Sequence, residues 1–202
     1  TYCIQASPFS FRQIQCLWVE EKRENSMALW VFGYGSLLWN PGFTPTKKVK
    51  ASLHDYHRSF CMLSIHHRGS EEDPGLVLAL DTLPGGQCTG VAFQVDEQEK
   101  DDVLAMLRER ELISSAYYED TVPLMTEDGE TIQALAYIIN RDHVQYCQFD
   151  LEKQAQIIAQ AIGGRGPNTE YLFNTASHLT ELAIRDDDMA WLVDRVRALQ
   201  AT

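Results

Sequence analysis

The amino-acid sequence predicts an α+β fold, in which a small mixed β-barrel or closed sheet is flanked by helices. Short β-rich runs separated by turn residues fill residues 29–139, whereas helical patterns dominate after residue 150. One more helical pattern lies between the fourth and fifth of these runs. With 202 residues the chain is long enough for one domain with a sizeable core, and we assign residues 27–202 to that domain.

The predicted strands are runs of apolar, β-branched and aromatic residues. They cover residues 29–34, 59–65, 76–80, 90–95, 121–124 and 132–139. Turn-forming residues separate them, namely Pro41-Gly42, Pro74-Gly75, Pro84-Gly85-Gly86 and Asp128-Gly129. Asp128-Gly129 stands between the last two runs and therefore predicts a tight hairpin.

Four helices are predicted. The first spans residues 97–112, where apolar residues recur at helical spacing. Asp150 is expected to cap a second helix, which reaches residue 162 and ends at Gly163-Gly164. Asn168 is expected to cap a third helix to about residue 182, and the last helix spans residues 187–199.

Residues 1–26 form an N-terminal extension whose residue pattern differs from that of the rest of the chain. One interpretation is a leader before a natural start at Met27, and the other is an amphipathic helix that Ser10 caps. We favour the helix, docked on the body of the domain through Ile14, Leu17 and Trp18. The same apolar residues would also suit contact with a partner, although we expect a monomer.

The charge and cysteine content exclude several classes of protein. A formal net charge of −12 repels phosphate backbones and anionic lipids, so we expect neither nucleic acid nor membrane as a partner. No stretch approaches the roughly 20 apolar residues of a membrane helix, and no signal peptide is recognisable. The five cysteines are scattered and form no C-x-x-C pair, as reduced thiols do. These patterns predict a protein of the reducing cytoplasm.

The first predicted strand runs directly into Gly33-Tyr34-Gly35-Ser36-Leu37. Two closely spaced glycines let the backbone turn sharply and expose N–H groups, which would form an anion nest or an oxyanion hole. A plain turn is the alternative. The segment lacks the third glycine of a dinucleotide site and the G-x-S-x-G pattern of a serine hydrolase, so it predicts neither.

The periodicity of the first predicted helix sorts its acidic residues. Val103 and Leu107 lie on one apolar face, Glu111 lies on or beside that face, and Glu109 points away from it. A carboxylate held against an apolar face has a raised pKa, which suits it to exchange protons near neutral pH. The alternative is a salt bridge with Arg108 or Arg110 at the helix end.

The pair His66-His67 is the strongest metal candidate in the sequence. No Asp, Glu or His stands at a ligand spacing that would complete a coordination shell around it. We therefore interpret both histidines as loop residues and predict no metal.

A series of motifs follows along the chain: Val31-Phe32-Gly33-Tyr34-Gly35-Ser36-Leu37-Leu38-Trp39, Tyr56-His57-Arg58-Ser59-Phe60, His67-Arg68-Gly69, Pro74-Gly75, Gly90-Val91-Ala92-Phe93, Arg110-Glu111 and Asn168-Thr169-Glu170-Tyr171-Leu172-Phe173. In order and spacing they resemble the ChaC family of glutathione-specific γ-glutamylcyclotransferases. Ser115-Ala116 departs from the pattern, because many members of the family have two glycines there.

The resemblance implies a γ-glutamylcyclotransferase-like fold and an intramolecular reaction. The α-amine of the γ-glutamyl group attacks its own γ-carbonyl, which converts glutathione into 5-oxoproline and Cys-Gly. The resemblance assigns the acid/base role to Glu111, and it implies no cofactor and no metal, because the substrate carries the nucleophile. The expected substrate-binding residues are Val31, Phe32, Gly33, Tyr34, Gly35, Ser36, Leu37, Arg58, Tyr117 and Tyr137. For Arg58 a structural ion pair is the alternative.

Two other functions stay open at this point. One is the same reaction on other γ-glutamyl amino acids or amines, and the other is a non-catalytic binding or regulatory module on the same fold. Glu111 argues against the module, because a binder has little reason to keep a carboxylate on the apolar side of a helix.

Overall fold

The computed structural model describes residues 28–112 and 114–201. The interpretations of residues 1–26 lie outside the described residues. Five strands form a closed barrel in the order β1-β3-β2-β4-β5, with bounds Trp30–Gly33 (β1), Lys47–Ser64 (β2), Gly75–Gln94 (β3), Tyr117–Thr126 (β4) and Thr131–Ile139 (β5). Most neighbours are antiparallel, and parallel pairs at Leu80↔Ile138 and Val31↔Leu135 close the barrel. The predicted α+β class and closed sheet are confirmed.

Four helices accompany the barrel: Lys100–Glu111 (α1), Leu151–Gln160 (α2), Asn168–Glu181 (α3) and Asp187–Gln200 (α4). Asp150 caps α2 as predicted, since its carboxylate accepts a hydrogen bond from the Lys153 amide. The helix ends before residue 162, because Ile162–Gly163 (β6) pairs with Gly166–Pro167 (β7) in a small hairpin. The part of the chain that the structure describes has no helix long and apolar enough to cross a membrane.

The strands differ from the prediction at the centre of the long β2–β3 hairpin. The runs predicted at residues 76–80 and 90–95 belong to the single strand β3, and β2 begins well before residue 59. Pro84-Gly85-Gly86 is a bulge rather than a turn between strands. The partner in β3 shifts from Gln87 opposite His54 to Thr82 opposite Tyr56, and the Asp55 carboxylate holds the bulge by accepting a hydrogen bond from the Gly85 amide. The Asp128-Gly129 hairpin between β4 and β5 is confirmed.

Among the hydrophobic clusters of the described residues, two form most of the barrel core and its contact with the C-terminal helices. One draws a side chain from each of the five strands, namely Phe32, Leu53, Leu80, Leu124 and Ile138. The other joins β2 and β3 to the C-terminal helices, with Phe60, Leu76, Leu172 and Leu192 among its members. Helix α1 packs on the barrel through Val103 and Leu107, and burial of a leucine side chain stabilises the fold by about 2 kcal/mol. The apolar face predicted for this helix is therefore its buried face.

Asn168 is a correction to the predicted helix cap. Pro167 occupies the cap position of α3, while the fully buried amide of Asn168 pairs with a strand residue. Its Oδ1 accepts a hydrogen bond of 2.6 Å from the Leu76 amide, and its Nδ2 donates one of 2.7 Å to the Leu76 carbonyl. Asn168 thus continues the hydrogen bonding of β3 as another strand would.

Substitution of Asn168 by alanine is expected to lower the free energy of unfolding by about 2 to 4 kcal/mol, because both buried polar groups of Leu76 lose their partner. Urea denaturation measures this change. Asn174→Ala in the same helix is the control, since that side chain makes no hydrogen bond to any residue that the structure describes, and its effect should stay within about 0.5 kcal/mol. Equal effects of the two substitutions would contradict the assigned role of Asn168.

Three cysteines lie in the described residues, all of them buried and free of disulfides: Cys61, Cys88 and Cys147. Burial is the main cause that raises the pKa of each thiol, to about 12 for Cys61 and to about 11 for Cys88 and Cys147. These side chains are therefore protonated and uncharged at neutral pH.

Candidate active site

A cavity of about 560 Å³ lies beside the barrel, within the size range of small-molecule sites. Its walls come from strands β2 to β5 of the barrel, the segment after β1, the end of α1, the loop between β2 and β3, the turn of the β6–β7 hairpin and the start of α3. Of the residues predicted to bind substrate or act on it, it is lined by Tyr34, Gly35, Ser36, Leu37, Glu111, Tyr117 and Tyr137. The fold thus brings together side chains more than a hundred positions apart.

Glu111 is the last residue of α1 and faces this cavity. Its Oε1 atom is buried and has no hydrogen-bond partner among the described residues, although it lies 3.0 Å from the Arg110 Nε atom. Burial raises the pKa of the carboxyl group, while the charges of Arg110 and Arg165 act in the opposite direction. The predicted partial burial and the alternative salt bridge therefore coexist, and the burial effect is the larger. Glu109 is exposed as predicted but also borders the cavity.

Arg110 connects the helix end to the segment after β1. It donates a hydrogen bond of 2.7 Å to the Asn40 carbonyl and one of 2.9 Å to Ser36 Oγ, in addition to its ion pair with Glu111. Arg108 instead pairs with Glu119 on the surface, at 2.6 Å. Arg110 thereby fixes the relative position of the Ser36 segment and the carboxylate.

Four tyrosines surround Glu111: Tyr34, Tyr117, Tyr137 and Tyr171. Tyr34 donates a hydrogen bond of 2.7 Å to the Tyr137 carbonyl, and Tyr117 donates one of 3.0 Å to the Leu78 carbonyl. The Tyr137 hydroxyl is buried and lacks a partner within the described part of the chain. Burial is the main cause that raises the pKa of each phenol, and the negative charge of Glu111 adds to it. All four hydroxyls therefore stay protonated and can act as hydrogen-bond donors.

The segment after β1 forms a single 3-10 turn over Ser36–Leu38, and Gly35 precedes that turn. The amides of Ser36 and Leu37 have no acceptor among the residues that the structure describes, as is usual at the start of a helical turn. A Cβ atom at Gly35 would lie 3.4 Å from the Tyr171 hydroxyl oxygen and 3.6 Å from Leu78 Cβ. A methyl group at Gly35 would thus just make contact with these two residues, and a larger side chain would not fit without a shift of one of them.

Val31, Phe32 and Gly33 are also predicted to contact substrate. These residues belong to β1 and do not line the cavity, because the side chains of Val31 and Phe32 are fully buried in the hydrophobic clusters and Gly33 pairs with Val91. They support the segment that follows them.

Arg58 lies outside the cavity and forms a structural ion pair, as its alternative interpretation predicts. Its buried guanidinium lies outside the cavity, where Nε forms an ion pair of 2.7 Å with Asp186, the residue that caps α4. The two terminal nitrogens donate hydrogen bonds to the Tyr34 and Thr89 carbonyls. Arg58 therefore holds the backbone of Tyr34 in place.

The sequence reasoning missed Tyr171 and Arg165 as cavity residues. Tyr171 belongs to the Asn168–Phe173 motif, which could have indicated its place in the site. Arg165 belongs to no such motif and reaches the cavity only through the β6–β7 hairpin. His66 and His67 lie in the loop between β2 and β3, as predicted, and border the cavity. The described residues contain no cluster of His, Cys, Asp and Glu that could hold a metal ion.

Comparison with known proteins identifies the family. Residues 29–199 match the model of the family described as ChaC-like protein. The chain belongs to the ChaC family. Among its curated ChaC relatives is the glutathione-specific γ-glutamylcyclotransferase of Escherichia coli, at 35% identity over 92% of this chain and 84% of the relative. The human glutathione-specific γ-glutamylcyclotransferase 1 is 33% identical over 84% of this chain and 78% of its own length.

A solved structure agrees with the fold of this ChaC protein. The crystal structure of the yeast γ-glutamylcyclotransferase specific to glutathione, with selenomethionine, covers 86% of this chain and 97% of its own length, with a TM-score of 0.77. The two sequences are 21% identical, so this likeness supports the barrel architecture alone.

Proposed function

We propose that this protein is a γ-glutamylcyclotransferase that acts on glutathione and produces 5-oxoproline and Cys-Gly. The observation that carries the proposal is the partly buried carboxylate of Glu111, which faces a cavity of suitable size and whose buried Oε1 atom has no hydrogen-bond partner among the described residues. Its setting in a family whose curated relatives bear this activity in their names supports the assignment.

The first step of the proposed reaction is removal of a proton from the substrate α-ammonium by Glu111. The free amine then attacks the γ-carbonyl carbon, which forms the C–N bond of the lactam and places negative charge on the carbonyl oxygen. Burial suits Glu111 to this task, because a carboxylate with a raised pKa is a stronger base. General acid–base catalysis of this kind contributes about 10²- to 10⁴-fold in rate.

The second step is the departure of the amine. The bond between the γ-carbon and the cysteine nitrogen breaks as the carbonyl re-forms, and the proton held by Glu111 moves to that nitrogen, so the carboxylate is regenerated. The former α-amine nitrogen, now in the ring, loses its second proton to water, which leaves the neutral lactam. One group thus serves as base and then as acid. No activated serine or cysteine is needed, because the attacking nitrogen belongs to the substrate.

The remaining cavity residues orient the substrate and stabilise charge in this proposal. The amides of Ser36 and Leu37 are candidates to bind the α-carboxylate or the developing oxyanion, with Tyr34 and Ser36 adding side-chain contacts. The unpartnered hydroxyl of Tyr137 is a further donor, and Tyr117 shapes the wall beside Glu111. As part of the proposal the reaction takes place in the cytoplasm, with which the three buried free thiols agree.

The experiment is to incubate the purified protein with glutathione and to assay 5-oxoproline and Cys-Gly, with and without a chelator. A panel of γ-glutamyl amino acids and amines runs in parallel. The expected result is formation of both products from glutathione at equal rates. Turnover of only the other donors would move the assignment to a different γ-glutamyl substrate, and no turnover of any donor would favour a non-catalytic binding module.

A further inference from the structure

One wall of the cavity carries a cation that the proposed mechanism does not use. Arg165 lies in the turn of the β6–β7 hairpin and borders the cavity. The Arg165 amide donates a hydrogen bond of 2.9 Å to the His67 carbonyl, and the Gly164 amide donates one of 2.8 Å to the His66 carbonyl. The backbone that carries Arg165 is thus attached to the loop between β2 and β3.

The contact between this hairpin and this loop is close. A Cβ atom at Gly163 would lie 2.4 Å from the Gly69 nitrogen and 2.6 Å from the Arg68 nitrogen, so only glycine allows the two backbones to meet. The turn is therefore held against the cavity wall, which fixes the backbone of Arg165 there, while its side chain is exposed.

The other arginines of the cavity have partners, whereas Arg165 has none within the described residues. Arg68 pairs with Glu170 at 3.2 Å and Arg110 pairs with Glu111 at 3.0 Å. The guanidinium of Arg165 takes part in no ion pair or hydrogen bond of the described chain. Its charge lowers the pKa of both Glu111 and His67, although burial is the larger influence on each, so the guanidinium acts on both sides of the cavity.

An unpaired arginine is a suitable ligand for a carboxylate. The planar guanidinium matches the two oxygens of a carboxylate with parallel hydrogen bonds. In a chain with a net charge of −12, such a cation also provides a local positive potential for an anionic molecule. The α-carboxylate and the amine of a γ-glutamyl substrate are needed near Glu111 and the Ser36 segment. The group left for Arg165 is the carboxylate at the other end of the molecule.

We propose that Arg165 binds the terminal carboxylate of the departing amine, so that the cavity selects γ-glutamyl peptides over γ-glutamyl donors whose departing group is uncharged. This inference rests on the proposed function and adds a specificity residue to it. His66 and His67 border the same part of the cavity and supply further polar contacts around that carboxylate.

The test combines a change in the protein with a change in the substrate. Arg165→Gln and wild type are assayed with glutathione and with its glycinamide analogue, in which an uncharged amide replaces the terminal carboxylate. Arg165→Gln is expected to raise KM for glutathione about tenfold, the size of one charge-assisted hydrogen bond, and to leave kcat nearly unchanged. With the analogue the wild type already shows the raised KM, and the substitution adds nothing.

Arg165→Lys and Arg185→Gln are the matched variants. Lysine keeps the charge but not the paired hydrogen bonds, so an intermediate KM is expected. Arg185 is exposed, and Asp187 is its only ion-pair partner within residues 28–112 and 114–201, so its substitution controls for the change in net charge and should leave KM unaltered. An equal effect of Arg165→Gln on both substrates, or no effect on either, would overturn the proposal.

A binding measurement keeps this inference separate from the proposed reaction. Calorimetric titration of Glu111→Gln, with and without Arg165→Gln, measures the affinity for glutathione and for the glycinamide analogue without turnover. Tighter binding of glutathione than of the glycinamide analogue, lost on substitution of Arg165, would support the subsite. This conclusion would hold even if the wild type produced no 5-oxoproline, a result that would contradict only the proposed reaction. Equal affinity for both molecules would overturn the subsite whatever the activity.

Discussion

Replacement of Glu111 by glutamine is expected to lower kcat/KM for glutathione by about 10²- to 10⁴-fold, because the amide cannot accept the proton of the α-ammonium. The shape of the side chain is kept, so the cavity and the fold should persist. Glu109→Gln is the matched control, since this neighbouring carboxylate is exposed at the rim, and its activity should stay within a few-fold of wild type. Near wild-type turnover by the Glu111→Gln protein would show that Glu111 is not the general base.

The same substitution should make the protein more stable at neutral pH. Since burial raises the pKa of Glu111, the folded protein binds this proton more tightly than the unfolded chain does. The stability associated with the protonated form is present at low pH and is lost as the pH rises through the folded-state pKa. Glutamine avoids that loss, so thermal melting at pH 7 should show a higher Tm for the variant, and the difference should shrink towards acidic pH.

The pH dependence of kcat/KM follows from the same shift. The value of kcat/KM should fall at acidic pH as Glu111 takes up a proton. The midpoint of this acidic limb should lie above 4.5, the ordinary pKa of a glutamate carboxyl group. Glu111→Gln should lack the limb in its residual activity. An acidic limb at or below the ordinary value would show that another group controls the reaction.

Gly35→Val is expected to lower kcat/KM by about 100-fold or more. The added side chain must displace the Tyr171 hydroxyl or the backbone before the Ser36–Leu38 turn, and misplacement of substrate-positioning groups by about 1 Å costs rate on this scale. Overpacking of this kind costs about 1 to 3 kcal/mol of stability, so the variant should remain folded, which circular dichroism and thermal melting can check.

Gly35→Ala provides the graded comparison. Its single methyl group would lie at 3.4 Å from the Tyr171 oxygen, a contact that small movements can accommodate, and a loss of up to about tenfold is expected. Full activity in a folded Gly35→Val protein would show that the Ser36–Leu38 turn does not take part in substrate binding.

The features predicted correctly from the sequence are those that local patterns encode. Helical periodicity placed Glu111 beside the buried face of α1, and Asp128-Gly129 specified its hairpin because two adjacent residues determine that turn. The missed features depend on distant parts of the chain. Asn168 pairs with Leu76, and the continuity of β3 through its bulge depends on Asp55 in the neighbouring strand. No local pattern carries either interaction.

The candidate site shows the same division. Ser36 and Glu111 stand in recognisable motifs, whereas the roles of Arg58 and Arg165 appear only once the chain is folded. Arg58 reaches Asp186 at the start of α4, and Arg165 approaches the cavity because a glycine lets the β6–β7 hairpin press against residues 66–69. An arginine in a sequence does not indicate which carboxylate it will meet.

The buried thiols have a consequence for an enzyme whose substrate is itself a thiol. Glutathione and its disulfide exchange with protein cysteines only through a thiolate, and the attack also requires access to the sulfur. Cys61, Cys88 and Cys147 are buried, and their raised pKa values leave almost no thiolate at neutral pH. These three sulfurs are therefore chemically inert towards the substrate pool, and mixed disulfides with it do not form at them while the barrel stays folded.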